Sequence, residues 1–410
     1  MLALSQIFFF AAFAGYLVAT IIYVARLTGS KRRVVAPIEG GAAAFALPTE
    51  RWARWAGYLT MAAVALQAAG ILLRWAASGQ APLSNMYEYM SLVGWAAMLF
   101  FVLLNLRYNL PALGAFAAPV GVLVIAYASV FPSQVQPLVA PLQSYWLTLH
   151  VTFAALGEGA FAVSFAAALM YLLRIQRDGS LNRTEETALE LIFASGAVLA
   201  GFILSALAFR LVSYELSVPQ LDGAPLLYHL PAFVGSTGVA RGALGHWAGL
   251  PLPLFSAPAW LGGVAAGRKL NTLLISLLAG GIVYGLVRLF ARRPWREVAG
   301  NALSNLNPEV LDDLSYRGIA IGFPLFTLGG MVFAMIWAQK AWGSYWSWDP
   351  KETWSLITWL FYSGYLHMRI VRGWEGRPAA WIASVGFVLA FFTLVGVNLL
   401  IAGLHSYAGS

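Results

Sequence analysis

Ten runs of about 20 apolar residues punctuate this chain, and they constrain its fold more than any motif does. They cover approximately 3–26, 55–77, 91–107, 112–131, 146–174, 190–212, 270–291, 317–339, 353–371 and 379–404. A helix of that length, at about 1.5 Å per residue, spans a hydrocarbon core about 30 Å thick. Charged residues make up only 10% of the sequence, against roughly 25% in soluble domains. The expected fold class is therefore all-α: a polytopic membrane protein of about ten transmembrane helices, with the lipid bilayer as its solvent.

Charge asymmetry sets the expected orientation. Threading the spans alternately puts 18 of the 25 Lys and Arg residues on one side, among them Arg174, Arg177, Arg183, Arg288, Arg292, Arg293, Arg296, Arg369, Arg372 and Arg377. That side reads as the cytoplasm. Both termini and the loops near 78–90, 132–145, 213–269 and 340–353 then face outside, which in a bacterium is the periplasmic or exoplasmic face of the cytoplasmic membrane. The first span has Arg26, Lys31, Arg32 and Arg33 after it and no basic residue before it. That reverses a signal peptide's charge order, so the span is expected to stay attached.

The net charge of +8 does not suggest nucleic acid, because the basic residues sit in short loops between apolar runs and report topology. The absence of cysteine excludes a disulfide framework, a zinc ribbon, an iron–sulfur cluster, a CxxC thiol relay and haem covalently held by this chain. No repeat of the solenoid or inverted-transporter kind stands out. The longest outer loop, 213–269, is rich in Gly, Pro and Leu and nearly uncharged, so it is expected to lie on or in the membrane surface.

The densest chemical signal is Trp342-Gly-Ser-Tyr-Trp-Ser-Trp-Asp-Pro-Lys-Glu-Thr-Trp354, with four tryptophans (Trp342, Trp346, Trp348 and Trp354) in 13 residues. Tryptophans collect at membrane interfaces as an aromatic belt. Four of them interleaved with Gly, Ser and Asp on one outer loop also make an apolar platform on which a flat conjugated ligand could stack. Within the run, Asp349 as N-cap, Pro350 at the first helical position and Glu352 at N3 spell a capping box that starts the ninth span, which favours structural roles for both carboxylates. The helix N-terminus behind them, helped by Lys351, suits carboxylates of a bound ligand.

Three of the five histidines fall near span ends. His150 lies at the outer mouth of the fifth span and His405 at the outer end of the tenth. Two imidazoles at one level beside a tryptophan platform point to paired axial ligands on one planar metal cofactor, haem. His367 follows Trp354 by 13 residues, roughly 20 Å of helix at 1.5 Å per residue, so it cannot share that outer site. It is either a basic anchor at the inner interface or a second haem ligand. His229 and His246 read as incidental. Glu158, inside the fifth span, is a functional candidate because intramembrane carboxylates are costly, the alternative being a protonated group hydrogen-bonded between helices.

These residues resemble the WWD signature of haem-handling membrane proteins, and the run at 342–359 in particular is similar to the CcsA (ResC) family of System II cytochrome c synthesis. Leu-Asp-Asp-Leu-Ser-Tyr-Arg317, Tyr-Leu-His-Met-Arg369, Gly-Leu-His-Ser-Tyr-Ala408, Pro-Leu-Ser-Asn-Met-Tyr-Glu88 and Trp-Leu-Thr-Leu-His150 also resemble family segments. The likeness covers roughly 80–175 and 310–410. It suggests a two-helix segment at 1–80, core helices at 81–184, an inserted hairpin with the long outer loop at 185–305, and a WWD core at 306–410.

The resemblance implies a holocytochrome c synthase (haem lyase) component. His150 and His405 would be axial ligands of haem b and would serve catalysis, with the WWD residues Trp342, Trp346, Trp348, Asp349 and Trp354 holding the porphyrin. His367 would ligate haem within the membrane, opposite a ligand from a separate CcsB (ResB)-like subunit. Apocytochrome c would present its CxxCH thiols, kept reduced by other proteins. Two other readings remain open: a haem-delivery protein of the System I kind, and a secondary transporter with an aromatic gate.

Overall fold

The computed structural model describes residues 1–29, 51–135, 143–220, 223–258, 260 and 266–397. Its helices, in chain order, are α1 (Leu2–Gly29), α2 (Arg51–Ser78), α3 (Met86–Tyr108), α4 (Gly114–Ala128), α5 (Tyr145–Gln176), α6 (Arg183–Leu211), α7 (Ala266–Ala291), α8 (Trp295–Ala302), α9 (Pro308–Phe326), α10 (Ala334–Trp342), α11 (Pro350–Arg372) and α12 (Arg377–Phe391). Two π-helical turns, Thr327–Phe333 and Phe392–Gly396, follow α9 and α12. The all-α polytopic expectation holds.

Among the described residues, nine helical stretches are long and apolar enough to cross a membrane. The expected ninth span, α11, is not one of them. Its 23 residues give the length, but Ser, Thr, Tyr, His and the charged residues at its ends lower its hydropathy. It packs as a member of the bundle, with Thr358 and Tyr362 fully buried and Thr358 Oγ1 3.1 Å from Thr393 Oγ1.

The chain divides into two compact units, Asn182–Arg296 and the residues on either side of that segment. In the larger unit, α5 is the central helix. It is apolar on all sides and buried almost continuously from Ala154 to Ile175, as a helix enclosed by other helices must be. Small residues let α9 approach it, and Ser164 Oγ donates to Ser315 O at 2.7 Å across that contact.

Charges inside the bundle are paired. Arg74 of α2 meets Glu88 of α3 at 2.7 Å, and both side chains are almost fully buried. Glu88 also accepts from the N–H and hydroxyl of Ser84, each at 2.7 Å, while Arg74 donates to Ser133 O at 2.8 Å. At the opposite end, Arg369 binds Asp312 at 2.7 Å, and Asp312 also accepts from Gly376 N–H at 3.1 Å. These pairs fasten the two ends of the unit, where either partner left buried alone would be costly.

The smaller unit holds α6, α7 and the segment expected to be a Gly- and Pro-rich surface loop. That segment folds into β1 (Leu216–Gln220), β2 (Gly223–Tyr228), β3 (Val234–Gly235), β4 (His246–Trp247), β5 (Leu250–Pro251) and β6 (Phe255–Ser256). They pair as β1–β2, β3–β6 and β4–β5 around a small core of Val218, Tyr228 and Ala232. Strands of two to six residues are too short to show alternation in sequence. Asn271 of α7 secures them, accepting from Val234 N–H and donating to Pro231 O, both at 3.0 Å.

Candidate functional site

The WWD run is shaped from its helix outward. Asp349 caps α11 by accepting from Lys351 N–H at 3.2 Å, Glu352 reaches back to Asp349 N–H at 3.3 Å, and Pro350 takes the first turn. The expected capping box is therefore present. Glu352 also accepts from the N–H and hydroxyl of Ser347, at 2.8 and 3.0 Å. Just before the cap, Trp348 adopts φ 59°, a left-handed conformation unusual for a bulky residue and held only where its surroundings over-determine it.

Asp349→Ala should cost about 1 kcal/mol of helix stability and loosen the loop at 343–349. Increased amide exchange at Ser347 and Lys351 would show it; unchanged exchange would contradict the capping role.

Beside this loop lies a pocket lined by residues of α3, α5, α9, α10, α11, the WWD loop and the two π turns, including Tyr89, His150, Glu158, Met335, Trp337, Trp346, Lys351 and Thr393. His150, on the first turns of α5, is half-buried. Its Nδ1 lies 2.9 Å from Gly329 O, and its ring stacks on Trp337 with centroids 5.8 Å apart and planes 11° apart. At the pocket floor, Tyr89 Oη donates to Glu158 Oε2 at 2.9 Å, and Lys351 Nζ sits 5.5 Å from the centre of the Tyr89 ring.

Of the residues singled out from sequence, the structure brings His150, Glu158, Trp346, Lys351 and Glu352 to this pocket. Trp342 stands behind it, edge-on to Trp337 at 4.7 Å. Trp348 is 69% exposed, and its ring lies 5.8 Å from Trp346. Trp354 turns toward α12 and packs on Phe392 at 4.5 Å. The four tryptophans thus do not form one flat plate. Asp349 is buried as the cap.

His367 is exposed on the far part of α11, near the Arg369–Asp312 pair. His405 lies outside the described residues. His229 and His246 sit among the short strands of the smaller unit, with His229 Nδ1 3.9 Å from Glu215 Oε1.

Sequence reasoning passed over Trp337, a single tryptophan inside an apolar run whose role shows only when α10 meets α5. It also left Glu158 without a role. The structure gives Glu158 two neighbours on other helices, Tyr89 and the cation of Lys351.

The donor set fits a porphyrin better than a bare ion. Among the described residues no three His, Asp or Glu side chains gather to hold a metal, whereas haem iron arrives with four nitrogens and needs one or two protein ligands. One imidazole among aromatic walls meets that need. Among the described residues the buried Trp346 Nε1 has no acceptor, and Lys351 would offer a cation to the carboxylates that haem carries.

Fold and site together define a multi-pass membrane protein with an aromatic, histidine-bearing pocket at one end of its bundle. The chain belongs to the CcsA family of cytochrome c assembly proteins, and the family's sequence profile, described as "Cytochrome C assembly protein", matches residues 83–213 and 268–405. The matched residues take in α6 and nearly all of α7 and pass over the segment between, which carries the short strands. Across 97% of this chain and 94% of the relative, it is 33% identical to "Cytochrome c biogenesis protein CcsA" of Gloeobacter violaceus. The proteins of the same name from Nostoc punctiforme and Porphyra purpurea are 34% and 31% identical, each over 82% of this chain and 82% and 81% of theirs. The protein acts in cytochrome c maturation, a process that involves haem and apocytochrome c.

Proposed function

We propose that the protein is the membrane haem-handling subunit of a System II cytochrome c synthase, moving haem b to an outer site and promoting its attachment to apocytochrome c. The observation that carries this reading is His150, presented in the wall of an aromatic pocket beneath the WWD loop. His150 and His405 are assigned as the axial ligands there. Trp346 and Trp337 wall the pocket, with Trp342, Trp348 and Trp354 supporting the loop and Asp349 ordering it. His367, some 13 residues along α11 from Trp354, is assigned to haem nearer the cytoplasm, and its exposed position is open to a CcsB (ResB)-like subunit that would supply the opposite ligand.

The reacting groups belong to haem and substrate. Each vinyl takes one cysteine S–H across its double bond, sulfur to the carbon next to the ring and proton to the terminal carbon, with no net oxidation. This chain contributes position and iron ligation, and its lack of cysteine prevents mixed disulfides with the substrate. The excess of Lys and Arg at the end opposite the WWD loop supports placing the loop on the periplasmic or exoplasmic side of the cytoplasmic membrane.

The test is an absorption spectrum of the purified protein with and without a co-expressed CcsB-like subunit, with haem quantified after extraction into alkaline pyridine. A low-spin bis-imidazole spectrum with extractable protohaem is expected, and His367→Ala should lower total haem. Folded protein without haem under both conditions would sink the reading. Full haem content in His367→Ala would remove that residue from the route.

A further inference from the structure

Resting on the assignment of His150 as a haem ligand, we infer that the Gly329 carbonyl is a positioning group that fixes the His150 imidazole in its Nδ1–H tautomer and so presents the Nε2 lone pair to iron. A carbonyl oxygen can only accept, so the nitrogen 2.9 Å from it carries the hydrogen. In a neutral imidazole the other nitrogen then carries the lone pair.

Three features of the chain build this contact. The π-helical turn Thr327–Phe333 shifts the backbone ladder, so that Gly329 O accepts from Ala334 N–H and also faces His150 Nδ1. A plain α-helical continuation would pair Gly329 O with residue 333 and, with one residue per turn fewer, rotate Trp337 by about 100° away from the ring it stacks on.

Glycine at 329 permits the approach, because a Cβ there would fall on the backbone of Phe153 and Ala154, one turn beyond His150. The turn is also tied to α11, since Trp359 Nε1 donates to Thr327 Oγ1 at 2.9 Å. The ring is thus held by its edge and its face from one short stretch of chain, 329–337. A carbonyl partner on Nδ1–H also strengthens a ligating imidazole as a donor.

The first measurement is made on the full-length, haem-free protein labelled with 15N-histidine in lipid nanodiscs. With five histidines, the His150 signals are identified by their loss in His150→Asn. A protonated Nδ1 and an unprotonated Nε2 are expected; the opposite tautomer would overturn the inference without any need for a second variant.

The second measurement uses haem-loaded Gly329→Ala. Its Cβ should push the turn off α5, weaken haem retention about tenfold or more, and raise the haem midpoint potential because the imidazole donates less. Gly281→Ala, whose Cβ meets open space on α7, should change neither. Unchanged retention and potential in Gly329→Ala, alongside loss of the haem spectrum in His150→Asn, overturns the positioning role alone. A wild-type haem spectrum in His150→Asn overturns the ligand assignment and the inference with it.

Discussion

His150→Ala is expected to abolish holocytochrome c formation while leaving the protein inserted and folded. The imidazole is half-buried, bonded to Gly329 O at 2.9 Å and stacked on Trp337, so under the proposed assignment its removal takes away an iron ligand held in position. Loss of a partner outside the coordination shell costs 10- to 100-fold in metal affinity; loss of the ligand itself should reach at least about 100-fold in haem retention and product. Added imidazole should restore part of both by occupying the vacated position.

The competing explanation is that the ring matters only as packing beside Trp337. His150→Phe separates the two, since it keeps an aromatic face without a ligating nitrogen. Full maturation in His150→Phe would refute axial ligation, whereas loss in both variants with imidazole rescue of the alanine protein would support it.

The largest effect on stability should come from Arg74→Ala. It strands Glu88, whose side chain is almost fully buried and whose carboxylate would keep only the two Ser84 donors. Breaking one half of a buried ion pair costs about 3–5 kcal/mol. Thermal unfolding of the detergent-solubilised protein, followed by loss of the monodisperse peak, should fall clearly below wild type. The double variant Arg74→Met with Glu88→Leu should recover much of that loss, because removing both charges together can be nearly neutral. A double variant as unstable as the single one would show that the pair acts through its bonds to Ser133 and Ser84 instead.

The membrane-embedded helices were legible because each is a long apolar run, a signal carried by composition alone. The start of α11 was legible for a different reason: Asp349, Pro350 and Glu352 satisfy local rules of helix capping, which tertiary contacts do not alter. His150 stood out because it pairs with His405 at the outer level beside the tryptophan run.

What stayed hidden depends on contacts between distant segments. Trp337 and Gly329 read as ordinary members of a hydrophobic run until α5 comes alongside. The π turns leave no pattern that apolar periodicity resolves, although Pro324 and the Gly329–Gly330 pair mark a place where a regular ladder is weak. The short strands of the smaller unit were missed because pairing, rather than alternation, defines them.

The polar make-up of α11 bears on how the protein is made. A segment carrying hydroxyls along its length and charges at both ends gains little by partitioning into lipid alone, since polar groups need partners there. Its hydroxyl partners come from chain on either side: Trp359 Nε1 bonds Thr327 on the α9 side, and Thr358 meets Thr393 after α12. The helix that begins at the WWD loop is therefore expected to settle only when the chain on both sides is in place to partner it. Settling of α11 and construction of the pocket are therefore expected to be coupled, so a chain truncated before α12 should leave the WWD loop disordered whether or not haem is supplied.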